Sequence, residues 1–129
     1  MGRGQTFRNL GLGWKLMIDL TDEMWNKLFD TADDTVQKAM AELPEPVKGK
    51  AEEWTCWLEK FSPRSTDTQK VLGICGQGTQ AIAIYVGEIF TVCQGNQERF
   101  IEEVRHVYFH ELAHAIGNLR EWEVRARGL

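Results

Sequence analysis

From Asp22 to Leu43 the apolar residues fall three and four apart, at Trp25, Leu28, Phe29, Ala32, Val36, Met40 and Leu43. That spacing places them on one face of an amphipathic helix, with Thr21 or Asp22 as its cap and Pro44 as its stop. At Trp54 the period changes. Trp54, Cys56 and Leu58 alternate with Thr55, Trp57 and Glu59, which predicts a strand. Pro63 to Lys70 is a polar loop, and Gly73, Gly76 and Gly78 predict a tight turn. Gln80 to Cys93 reads as strand, with a hairpin around Gly87-Glu88. From Gln97 to Ile116 no Pro or Gly interrupts the chain, and Asn96 stands ready to cap its start. Glu98, Glu102 and Glu103 suit the positive end of a helix dipole. A long second helix is predicted, with Phe100, Ile101, Val104, Val107, Tyr108, Leu112 and Ala115 as its apolar arc. The whole pattern predicts an α+β domain, a small mixed sheet packed against the two long helices. Residues 1–16 are Gly-rich and basic without an acidic residue, and read as a loose arm before a domain spanning 17–129.

The second long helix carries every histidine of the chain: His106, His110 and His114. The last two frame a glutamate as His110-Glu111-Leu112-Ala113-His114, with Gly117 three positions further on. Helical residues four apart share a face one turn apart, so His110 and His114 can direct imidazole nitrogens at a single ion without distorting the backbone. Glu111 lies one step round the helix, beside the ion's water. Two neutral imidazoles to hold zinc and a carboxylate to take a proton from the zinc-activated water explain this spacing. His106 is a poor third ligand, because a straight helix separates residues 106 and 114 by about 12 Å along its axis.

The third protein ligand must then come from elsewhere, and the fifteen residues after His114 narrow the choice. Gly117 allows the chain to turn sharply off the helix and return toward the ion. Glu121 is the first acidic residue after that turn and the first choice of ligand, with Glu123 the alternative. A residue with no such role here would be an ordinary acid on a short last helix, Leu119 to Arg127.

The run from Glu102 to Gly117, followed by an acidic tail ending Arg127-Gly128-Leu129, resembles the small bacterial zincin-like metallopeptidase family of minimal single-domain proteins. Leu43-Pro44-Glu45 after the first helix, Leu72-Gly73 opening a Gly-rich turn, and Ile82-Ala83-Ile84-Tyr85 as a strand are similar to that family's order of elements. The resemblance covers about residues 17–129, and its specificity lies in the histidine helix. It implies a zincin-like minimal domain that hydrolyses peptide bonds, with His110 and His114 as zinc ligands, Glu111 as catalytic base and the acid after the glycine as third ligand. It also implies that an edge strand beside the active helix can pair with an extended peptide. Two departures stand out: the segment from Gly117 to Glu121 is one residue longer than the family spacing, which keeps Glu123 open, and Cys75 replaces an aromatic residue.

With 129 residues, of which 43% are hydrophobic, the chain can bury one modest core. Its net charge of -4 offers no basic footprint for nucleic acid. No apolar run approaches 18 residues and no signal-peptide pattern opens the chain, so a soluble, cytoplasmic protein is expected, with no membrane partner. Cys56, Cys75 and Cys93 lack CxxC spacing and read as free thiols. Gly73, Gly76 and Gly78 match neither phosphate-loop pattern. The sequence thus reads as a zinc peptidase: Zn2+ held by His110, His114 and Glu121, Glu111 as general base, and a peptide or protein as substrate. The competing reading is a non-catalytic zinc-binding or adaptor domain. A cysteine-nucleophile enzyme is weaker, since no thiol has a sequence-defined His partner, and a three-histidine RNA-processing metalloprotein is weaker for want of a third tail ligand of that type and a basic face.

Overall fold

A computed structural model describes residues 20–117. The first long helix, α1 (Asp22–Ala41), starts where the sequence places its cap: the Thr21 hydroxyl accepts from the Met24 N–H at 3.2 Å. It ends two residues before Leu43. Trp25, Ala32, Val36 and Ala39 are buried along its inner face. A short helix not expected from the sequence, α2 (Val47–Ala51), follows Pro46 and leads into β1 (Thr55–Glu59). Trp54, predicted as the first strand residue, instead sits just before it, half-buried against the core.

Two expectations for the middle of the chain are corrected. Gly73–Gly76 is a strand, β2, and the turn comes after it, as a 3-10 segment Gln77–Thr79 closed by Gln80 in the left-handed region at φ 50°. Gln80 to Cys93 is not one strand or a hairpin. Only Ala81–Tyr85 is extended, as β3, and the chain then passes directly into a helix, α3 (Val86–Val92). Gly87 is therefore no turn residue; it is a contact point, whose N–H donates to the Lys60 carbonyl at 2.7 Å and where a Cβ would collide with that oxygen and the Phe61 ring.

The sheet order is β1-β3-β2, with β1 parallel and β2 antiparallel to β3. This is the small mixed sheet expected of an α+β domain. Register aligns Cys56, Ile82 and Cys75 in one row across the sheet and Leu58, Ile84 and Gly73 in the next. Ile82 and Ile84 are fully buried, so this face looks onto the helices. The opposite face carries the row Trp57, Ala83 and Ile74 and leaves Trp57 57% exposed.

Because β2 lies on the far side of β3, the chain must travel from the end of β1 across to that edge before β2 can begin. Local hydrogen bonds shape that loop: Arg64 N–H to the Ser62 hydroxyl, Val71 N–H to the Ser65 hydroxyl and Gln69 N–H to the Thr66 hydroxyl. Glu88, buried in the first turn of α3, accepts from the Ser62 N–H at 3.0 Å and pins the loop to the domain.

The second long helix, α4 (Gln97–Gly117), closes the core. Asn96 caps it as the sequence predicts, its Oδ1 accepting from the Arg99 N–H at 3.0 Å. Phe100, Val104, Val107, Tyr108, Leu112 and Ala115 are buried, whereas Ile101, predicted as part of the same arc, is 38% exposed. Arg105 ties α4 to the end of α1 through Glu42 at 2.6 Å and lies over the Phe109 ring. No described helix is long and apolar enough to cross a membrane.

Candidate metal centre

α4 presents its histidines in a graded way. His106 is exposed, while His110 and His114 are half-buried. The rings of His110 and His114 stand 5.1 Å apart, centroid to centroid, at 66°. Two imidazoles bonded to one ion at about 2.0–2.1 Å with a near-tetrahedral angle would place their centroids about 5 Å apart. The ring separation of the pair matches that of two imidazoles sharing an ion. His106 and His110 are instead 6.3 Å apart, with their rings at 28°.

Glu111 leaves the helix toward the sheet and is only 9% exposed. It meets β2, an edge strand of the sheet among the described residues. A Cβ placed on Gly73 would stand 3.2 Å from the Glu111 Cγ and 2.7 Å from the Val107 Cγ1. Cys75, two residues along on the same face, feels the same carboxylate. Burial, and after it the Glu111 charge, pushes its thiol pKa above the ordinary range. Glu111 is thus set in the crease between α4 and β2. The helix alone brings His110, Glu111 and His114 together. The strand beside them is brought by tertiary folding.

Among the described residues, no group of three His, Cys, Asp or Glu side chains comes together to hold a metal. Glu121 and Glu123, the two sequence-based choices for third ligand, lie outside the described residues, as do residues 1–16 and the proposed last helix from Leu119 to Arg127. Burial first, and nearby carboxylates after it, push the Cys56 and Cys93 thiols up to about 12 and about 11. A cavity of about 310 Å³, lined by Leu20, Met24, Leu28, Phe90 and Phe100, opens near Gln97 at the other end of α4. Thirteen helical residues, about 20 Å, separate that end from His110, so the cavity is no part of this site.

Sequence reasoning missed Gly73 and Cys75 as neighbours of Glu111. The signal available was the short alternation of β2 itself, which the glycines disguised as a turn. Among curated proteins no match is found. The profile of the zincin-like metallopeptidase family matches residues 33–128, about three quarters of the chain, from within α1 through the sheet to α4 and the histidine motif. With that coverage, the chain belongs to the zincin-like metallopeptidase family.

Proposed function

We propose that this protein is a zinc-dependent peptidase in which His110 and His114 hold the ion, Glu121 completes its protein ligands and Glu111 is the general base. The observation that carries the reading is the 5.1 Å imidazole pair beside a buried glutamate, at the seam of a helix and an edge strand. Zinc, when bound, lowers the pKa of the water next to it to roughly 7 and polarises a peptide carbonyl. Glu111 takes the proton of that water as its oxygen attacks the carbonyl carbon, and passes it to the departing amine nitrogen as the C–N bond breaks. Burial of Glu111 beside β2 limits the freedom of its side chain between the two transfers. Among the described residues β2 is an edge strand, whose backbone groups an extended peptide can pair with, which would set its scissile bond beside α4.

The test is zinc content together with cleavage of a mixed peptide library. Cleavage abolished by a chelator and restored by zinc is the expected result. One zinc per chain without turnover under any condition would overturn the peptidase reading in favour of a zinc-binding or adaptor domain. A protein that neither retains nor takes up zinc would overturn the metal site itself.

A further inference from the structure

We propose that Gly73 is a positioning residue for Glu111: the bare backbone of β2 at this point leaves the general base the space it occupies. This rests on the peptidase reading above.

Glycine within a strand weakens it and usually marks a bulge, a bend or a close approach. Backbone angle does not call for a glycine at this position. The positive-φ glycine of the described chain is Gly95, and Gly73 is paired in register with Ile84 in an ordinary antiparallel ladder. Space does call for one. A Cβ here would meet the Val107 Cγ1 at 2.7 Å, the Glu111 Cγ at 3.2 Å and the Ala83 carbonyl at 3.2 Å.

These three neighbours differ in how far they can yield. The Ala83 carbonyl belongs to the central strand and is fixed by pairing on both sides, with Ile74 in β2 and Trp57 in β1. Val107 is 5% exposed and β-branched, and in a helix its χ1 has one strongly preferred setting. Glu111 is longer and has more rotatable bonds. A methyl group at position 73 would therefore displace the Glu111 side chain, or prise β2 away from α4 at the place where Glu111 sits. Either outcome moves the base relative to His110 and His114, which by helical pitch leave α4 in other directions than Glu111. The consequence is selective: the metal ligands stay, and the base moves.

The experiment is a comparison of Gly73→Ala, Glu111→Gln and the two together in the full chain, loaded with zinc for kinetics and with cobalt for its visible spectrum. Gly73→Ala is expected to keep metal stoichiometry and KM and to lower kcat roughly 10- to 100-fold, the size of effect that follows from misplacing a base by about 1 Å. Its cobalt spectrum should move in the same direction as that of Glu111→Gln. In the Glu111→Gln background the extra methyl should change neither kcat nor spectrum by more than about twofold or a comparable margin, because the group it acts through is already lost. Should Gly73→Ala fold poorly, Gly73→Ala with Val107→Ala removes the nearest obstacle and is compared with Val107→Ala alone, with the same loss in kcat expected. Parent-like kcat and spectrum in Gly73→Ala, or a full additional loss in the Glu111→Gln background, overturn the positioning role while leaving the peptidase reading intact. A parent chain that takes up neither metal and cleaves nothing overturns both.

Discussion

Two of the three histidines on α4 are half-buried with their rings 5.1 Å apart, and one is exposed with its ring 6.3 Å from its neighbour's. This difference separates the effects expected of their removal. His110→Ala or His114→Ala should abolish zinc retention, because two remaining ligands hold the ion too weakly at trace concentrations, whereas His106→Ala should leave it intact; elemental analysis of the three purified variants decides. Between Glu121→Ala and Glu123→Ala, only the first should sharply weaken zinc binding in a competition titration with a chelator. Parent-like affinity in Glu121→Ala would move the third ligand to Glu123 or elsewhere. Glu111→Gln is nearly isosteric, and an amide cannot take a proton from water, so a folded, zinc-loaded variant should turn over about 100-fold more slowly or less still. Turnover close to the parent's would refute the general-base role. The shared placement of His110, Glu111 and His114 was legible in the sequence, because a helix of fixed pitch converts their spacing into geometry without help from the rest of the fold, whereas Glu121 and Glu123 lie outside the described residues.

At the scale of elements, the two long helices announced themselves through apolar periodicity and through Thr21 and Asn96, and both caps form the bonds their side chains predict. The middle of the chain did not. Val86 to Val92 is apolar and β-branched enough to pass for a strand, yet it is helical, because Gly87 brings the start of α3 onto the end of β1 and Glu88 is buried to hold the Ser62 N–H. Neither partner is near in sequence. Gly87→Ala should therefore destabilise the domain by about 1–3 kcal/mol, the usual cost of overpacking, through collision with the Lys60 carbonyl and Phe61. Denaturant unfolding of the variant measures this; an unchanged midpoint would show that the β1–α3 contact can relax. The same blindness to distant partners hid β2, whose glycines read locally as a turn and whose role depends on lying against α4.

At the scale of the molecule, Cys56 on the inner face of β1 and Tyr108 on α4 join the sheet to the active helix, and both lose solvent in doing so. Burial, reinforced by the Asp33 charge, pushes the Cys56 thiol from 9.0 to about 12, and burial, reinforced by Cys56, pushes the Tyr108 hydroxyl from 10.0 to about 12. Both groups hold their protons more firmly folded than unfolded. Their contribution to stability is thus complete below about pH 9 and falls as pH rises through the interval up to about 12, where unfolding releases protons that the folded state keeps. The urea midpoint should decline from pH 9 to pH 11, and Cys56→Ala should decline less steeply; equal slopes would remove Cys56 from the linkage. This coupling could not be read along the chain, since it arises from residues 52 positions apart in sequence meeting across the core. The sequence by itself determined the two long helices, their caps, the α+β class and the placement of His110, Glu111 and His114 on one helix, because those follow from period, capping chemistry and pitch. Tertiary structure alone decided that α3 is a helix, that β2 is the strand beside Glu111, and that Gly73 lies where a Cβ would crowd Val107 and Glu111, because each depends on contacts between segments that local propensity cannot bring together.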